Sequence, residues 1–259
     1  VTIFHESNNM ERSASVTMTS VDVSDTSRFL AKLAPYFVDT PAECPYGLDR
    51  TAVYHQASFS FLPPAVLDEF LAAGYRRNGN TLYAMRCPDC AACVPIRLET
   101  ATFRLSRNMR RVRQRNQYLD ISVGPLAVTP EKLQLLDCFL NSRYPGRAST
   151  ARDYYSGFFF NSLAPTMEIS FRLSGQLVGV SIVDLAESSL SAVYFYFDPA
   201  FEKRSLGTFN ILYLIELARR EHCAYLYLGY WIEPVAAMAY KARFRPHSLL
   251  VNGEWLQID

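Results

Sequence analysis

Three stretches of this chain carry side chains whose types and spacing suit chemistry. The first is an arginine run. From Thr100 to Leu119 there is no acidic residue, and Arg104, Arg107, Arg110, Arg111, Arg113 and Arg115 lie within it. With Ser106 as a helix N-cap, Arg107, Arg111 and Arg115 fall at i, i+4 and i+8 on one face. Arginines packed this way repel one another, and guanidinium groups pair with phosphate through two parallel hydrogen bonds. The stripe therefore reads as a docking face for a polyanion. A solvated helix face paired with acids elsewhere is the bland alternative. The second stretch is Cys87-Pro88-Asp89-Cys90-Ala91-Ala92-Cys93, with Cys44 as a candidate fourth thiolate. Four thiolates suit a structural zinc or an iron–sulfur cluster; small reduced thiols in a tight turn are the equal alternative. The third stretch is rich in polar aromatics. It comprises Tyr194-Phe195-Tyr196-Phe197-Asp198-Pro199, Lys203-Arg204-Ser205-Leu206-Gly207-Thr208 and Leu228-Gly229-Tyr230-Trp231, followed by Tyr240-Lys241-Ala242-Arg243-Phe244-Arg245.

The whole chain limits what these stretches can mean. Its 259 residues are 49% hydrophobic, enough for a packed core, and the formal net charge is only +1. A nucleic-acid reading must then rest on where the charges sit rather than on their sum. No apolar run reaches the length of a membrane span. Residues 1–20 lack the marks of a secretory signal and read as a disordered lead-in, or as residues added ahead of the fold. With no such signal, the expectation is a cytoplasmic protein with reduced or metal-bound thiols.

Patterning supplies the elements that must position these groups. Pro63–Gly74 reads as a helix, Tyr75–Arg86 as a hairpin about Asn78-Gly79, Val94–Leu98 as a strand and Pro130–Tyr144 as an amphipathic helix. Met167–Leu173, Leu177–Leu185 and Leu190–Phe197 predict an antiparallel meander. A helix from about Leu206 to His222, a buried strand Tyr225–Tyr230, a short helix near Ala236–Arg243 and a hairpin about Asn252-Gly253 follow. Strands, helix, strand, helix and strand is the order of the GNAT acyltransferase fold. The expected architecture is mixed α/β (α+β). It has a smaller cysteine-containing, basic domain over residues 21–125 and a GNAT-like domain over residues 126–259.

Taken in order, several motifs resemble the aminoacyl-tRNA–protein transferases, most closely the short bacterial aspartate/glutamate leucyltransferases. They are Cys44-Pro45-Tyr46 with Asp49-Arg50-Thr51-Ala52, Gly74-Tyr75-Arg76-Arg77-Asn78-Gly79-Asn80, Cys87…Cys90…Cys93-Val94-Pro95-Ile96-Arg97, Phe103-Arg104…Ser106-Arg107, Asp198-Pro199, Arg204–Thr208, Leu228–Ile232 and Tyr240–Pro246. The resemblance runs from about Ser24 to the C-terminus. It implies transfer of leucine from leucyl-tRNA to proteins that begin with Asp or Glu, which marks them for degradation. No cofactor is required for such a transfer. Arginyl-tRNA as donor is the nearest alternative. An acyl-CoA N-acetyltransferase with an RNA-binding module is a more distant one, and a non-catalytic RNA-binding module a third.

For that chemistry the expected roles are these. Arg104, Arg107, Arg110, Arg111 and Arg115 hold tRNA. Tyr194, Ser205, Leu206, Gly207, Thr208, Tyr230 and Trp231 face the donor. Asp198, Tyr196 and Lys241 serve the reacting groups. Arg76, Arg77, Arg243 and Arg245, with Lys241, supply the cation for the acceptor's acidic side chain. Cys44, Cys87, Cys90 and Cys93 are the candidate metal ligands.

Overall fold

The computed structural model describes residues 31–259; the expected lead-in at residues 1–20 lies outside them. A small sheet comes first. Strands β1 (Val38–Glu43), β2 (Thr51–Ser58), β3 (Arg76–Asn78) and β4 (Thr81–Met85) pair in the order β1-β2-β4-β3. Helix α1 (Pro64–Ala72) packs on it through Val66, Leu67, Phe70 and Leu71. Proline at its start costs no hydrogen bond, because the first N–H groups of a helix are unpaired anyway. The expected hairpin forms, with Asn78 opposite Thr81.

The rest builds one large sheet and its covering helices. The elements are β5 (Val94–Glu99), α2 (Arg107–Arg115), β6 (Asp120–Pro125), α3 (Pro130–Arg143), α4 (Ala151–Tyr154), β7 (Thr166–Leu173), β8 (Gln176–Leu185), β9 (Ser189–Phe197), α5 (Leu206–Arg220), β10 (Tyr225–Trp231), α6 (Ala236–Ala239), β11 (His247–Val251) and β12 (Glu254–Ile258). Strand order is β12-β11-β5-β10-β9-β8-β7-β6. α2 and α5 cover one face, burying Met109, Val112, Leu214 and Ile215 against Ile96, Leu98, Val178 and Leu226. α3, α4 and the turn that follows α4 cover the other, with Leu136, Leu140 and Phe159 against Val180, Ile182 and Tyr196.

The expected boundary after residue 125 does not divide the sheets. β5, from the N-terminal part, lies between β10 and β11, and β6 forms the far edge beside β7. Leu98, Ile96 and Leu226 share one core, so the sheets part between Met85 and Val94 instead. The meander, the helix and the parallel return of β10 onto β9 do follow the expected GNAT-like order.

One feature positions the site. β9 and β10 pair only at Ser189–Ser191 with Tyr225–Tyr227 and then diverge. At the same point the pairing of β10 with β5 skips a step between Tyr227 and Tyr230. Gly229 sits there at φ +86°, in the left-handed region that a side chain would resist.

Candidate active site at the strand split

The diverging strands open into a cleft of about 1080 Å³ between the two sheets. Tyr46, Tyr54 and Tyr83 of the small-sheet side form one wall. Tyr194, Leu228 and Gly229 line the split itself, and Ser205–Thr208 at the start of α5 close one end. A strand split leaves backbone carbonyls without a ladder partner, and two buried cations take them. Arg76 donates through Nη2 to the carbonyl of Ala192 on β9 at 2.8 Å. Lys241 donates through Nζ to the carbonyl of Tyr230 on β10 at 2.8 Å. Both cations approach Gly229: a β-carbon there would stand 3.6 Å from Arg76 Nε and from Lys241 Nζ. Arg76 is 8% exposed and Lys241 9%, and neither meets a carboxylate among the described residues. Burial, then the charge of Arg76, lowers Lys241 to about 7; burial also lowers Arg76. Two buried cations without a counter-ion make a receptor for an anion.

The end of the cleft at α5 is electropositive for another reason. Ser205 stands at φ +56°, ψ +47° and gives no side-chain cap to the helix, so the first amides of α5 remain unpaired by a cap. Uncapped amides at a helix N-terminus favour negative charge. Among the described residues Glu202, which is exposed, is the only acid on the cleft lining.

The structure sorts the expected residues. Tyr194, Ser205, Leu206, Gly207, Thr208, Tyr230, Arg76, Arg77, Lys241 and Arg243 all line the cleft. Arg77, however, is consumed. It binds Asp184 through two bonds of 2.7 and 2.9 Å, both side chains are 2% exposed, and its Nη1 donates to the carbonyls of Gly79 and Phe158. Successive strand residues point to opposite faces, so of these two arginines Arg76 is the one left to receive an anion. Tyr196 is fully buried and stacks on Phe159 at 5.9 Å, out of reach of a donor. Trp231 packs against the core under α5 and is not on the cleft wall. Arg245 is exposed and donates to the carbonyl of Asp259. Asp198 caps the turn at Pro199–Arg204: its Oδ1 accepts from the Ala200 amide at 2.9 Å, and its Oδ2 accepts from Gln176 at 3.4 Å. Asp198→Ala should therefore lower stability by about 1 kcal/mol in urea unfolding, with Asp198→Asn milder.

The cysteines gather near the cleft without forming a ligand set. Burial, then the thiols of Cys87, Cys44 and Cys90, pushes Cys93 up to about 12. Among the described residues no three His, Cys, Asp or Glu side chains are arranged to hold a metal ion.

Sequence reasoning missed a second wall. α4 runs into a π-helical turn at Tyr155–Phe159, and this turn, with α3, brings Tyr154, Phe158, Phe139 and Arg143 onto the lining. Tyr194 meets Phe158 at 5.5 Å and Tyr154 at 5.6 Å between ring centres. The run Tyr154-Tyr155-Ser156-Gly157-Phe158-Phe159-Phe160 was the available signal. Its density of rings exceeds what one short helix face can bury.

The arginine helix forms as expected. The Ser106 side chain accepts from the Met109 amide, Met109 and Val112 are buried, and Arg104, Arg107, Arg110, Arg111, Arg113 and Arg115 are exposed. None of the six pairs with an acid among the described residues. Its C-terminal turn touches the segment before α5. Asn116 donates to the Arg204 carbonyl at 2.9 Å, and Arg204 donates to the Arg115 carbonyl at 2.8 Å. A basic ridge thus leads from α2 to the mouth of the cleft.

Known proteins resemble this chain along most of its length. The model of the arginine-tRNA-protein transferase N terminus matches residues 42–111, and that of the C terminus matches residues 131–251. The aspartate/glutamate leucyltransferase of Aeromonas hydrophila is 37% identical over 84% of this chain and 92% of its own length. That of Marinobacter nauticus is 36% identical over 86% of this chain and 96% of its own. Among solved structures, L-PGS from Bacillus licheniformis aligns at a TM-score of 0.41 and 14% identity, covering 81% of this chain and 76% of that one. With both halves of the family matched in order around one cleft, this chain belongs to the aminoacyl-tRNA–protein transferase family, on the branch of the aspartate/glutamate leucyltransferases.

Proposed function

We propose that the protein transfers leucine from leucyl-tRNA to the N-terminal Asp or Glu of acceptor proteins, marking them for degradation through the N-degron route. Charged tRNA is a cytoplasmic substrate, and the reaction belongs to that compartment. Among the described residues no helix is long and apolar enough to cross a membrane. The observation that carries the proposal is the pair Arg76 and Lys241, buried without a counter-ion beside the uncapped start of α5. The acceptor's acidic side chain supplies the missing anion. The same surroundings disfavour an arginyl donor, whose guanidinium would enter a cleft with several cations and one exposed acid.

The reaction needs little beyond placement. The acceptor's α-amine attacks the ester carbonyl carbon, and the carbonyl oxygen becomes an oxyanion. As the C–O bond to the ribose breaks, the ribose oxygen leaves with the proton the amine gives up. The products are a new peptide bond and uncharged tRNA. The unpaired amides of α5 favour the oxyanion, and the Arg76–Lys241 pair fixes the amine by holding its neighbouring carboxylate. No acyl carrier or redox group is required, because the ester is already activated. With its carboxylate spent on a turn, Asp198 takes no part, and Asp198→Asn should transfer leucine at the parent rate.

Peptides beginning with Asp, Glu, Lys or Arg, offered with leucyl-tRNA or arginyl-tRNA and read by mass, test the proposal. A leucine-sized gain on the acidic peptides alone is expected; gain on Lys or Arg peptides alone would overturn it. The basic ridge has its own test. Arg107→Glu with Arg111→Glu should weaken charged-tRNA binding and make its salt dependence shallower, by about 0.7–0.9 in log–log slope for each lost phosphate contact. Unchanged affinity and slope would remove α2 from the tRNA path.

A further inference from the structure

A buried amide oxygen on the cleft wall has no hydrogen-bond partner among the described residues. Asn210 lies one turn into α5, on the cleft lining beside Gly207 and Ile211. It is 3% exposed, and its Oδ1 is sealed without a hydrogen-bond partner among the described residues. The other buried positions of α5 are Leu206, Phe209, Ile211, Leu212, Leu214, Ile215, Leu217 and Ala218, all apolar. Asparagine is a poor helix former, and an unsatisfied buried amide weakens the fold. Both costs vanish with leucine at this place. A buried polar group left unpaired calls for an explanation, and Asn210 differs from Asn116, Ser181 and Tyr196, whose side-chain oxygens are also unpaired among the described residues, in lying on the cleft lining.

The chemistry around Asn210 defines what that is. The cleft abounds in hydrogen-bond donors: Arg76, Arg143, Lys241, Arg243 and the first amides of α5. Phosphate, ester carbonyl and acceptor carboxylate are all served by donors. The one donor-substrate group that these cannot serve is its α-amine, which offers N–H bonds and needs an acceptor. A carboxylate there would neutralise the cations that hold the acceptor's side chain, and it would also welcome an arginyl donor. A neutral amide oxygen does neither. A half-turn of the amide exchanges its oxygen and nitrogen, so either can face the cleft.

We infer that Asn210 recognises the α-amino group of the donor, its amide oxygen accepting an N–H of the leucyl ester. Asn210 thereby fixes which face of the ester carbonyl meets the acceptor amine. The inference rests on the aminoacyl-tRNA donor proposed above.

Filter binding with two charged tRNAs tests it. One is leucyl-tRNA. The other is 4-methylpentanoyl-tRNA, which keeps the ester and the leucine side chain but has no amine. The parent protein should prefer leucyl-tRNA by about tenfold, the worth of one such hydrogen bond. Asn210→Ala should bind both alike, at the level of the amine-free tRNA. Asn210→Asp keeps an acceptor oxygen and should keep the preference. Thermal melting separates this from a structural role, since Asn210→Leu should melt at or above the parent temperature. Equal binding of the two tRNAs by the parent, or an undiminished preference in Asn210→Ala, would overturn the inference. Binding is read here without transfer. Failure to extend any acidic peptide would defeat the proposed function and leave this comparison intact.

Discussion

Lys241→Met should lower kcat/KM for Asp- and Glu-starting peptides by about 30-fold or more, while charged-tRNA affinity stays at the parent value. Loss of one partner from a desolvated charge pair costs about 2–5 kcal/mol, and the lower end of that range is already about thirtyfold. The effect belongs in the acceptor's KM, because the proposed partner of Lys241 is the acceptor's carboxylate and not the tRNA. Folding runs the other way. The ordinary lysine value is 10.5 and Lys241 is lowered to about 7, so between these values the folded chain holds fewer protons than the unfolded one. Stability of the free protein therefore rises with pH across that window, and methionine, which needs no proton, should melt no lower near pH 7. The acceptor's KM carries the same signature. As pH rises through about 7 the lysine loses its charge and KM for acidic peptides should climb. Lys241→Arg stays charged and should flatten that climb. A Lys241→Met variant with parent KM would remove this side chain from acceptor binding.

Asp184→Ala should cost about 3–5 kcal/mol, because it strands a buried guanidinium. Asp184 holds Arg77 from a strand 107 residues away, and it also accepts from Thr166 Oγ1 at 2.6 Å. Arg77 in turn donates to Phe158 and Phe159, the carbonyls of the π-helical turn, and the Gly79 amide donates to Phe158 as well. The pair thus joins the small sheet, the large sheet and the aromatic wall. A melting point lowered by roughly 10 °C is the expected readout. The double replacement Arg77→Met with Asp184→Leu should recover much of the loss, since no unpaired charge remains. If Asp184→Ala melted like the parent, the joint would have to be held elsewhere.

Much of the scaffold was legible because its periodicities are local. The Ser106 cap, the start of α5 at Leu206 and the turn at Asn252-Gly253 each depend on a few neighbouring residues, and the structure agrees with the sequence at all three. The cleft was legible only in part. Motif order named Arg76 and Arg77 together, but which arginine is free depends on Asp184, far along the chain. Tyr194 and Tyr196 share a strand face by simple alternation, and only the packing of Phe159 decides that one is at the mouth and the other is sealed. Asp198-Pro199 is a turn-forming pair, and the local use of its carboxylate prevailed over a distant one. β5 could not be placed in the large sheet from pattern alone, because strand partnership is a long-range fact.

The interior position of β5 restricts how such an enzyme can change its substrates. A strand lying between β10 and β11 is not a detachable piece: removing it bares two strand edges and the core beneath them. The N-terminal and C-terminal parts therefore cannot be traded as modules between relatives, even though each carries its own recognisable motifs. New donor or acceptor preferences must arise by single replacements along the cleft lining, with the frame inherited whole.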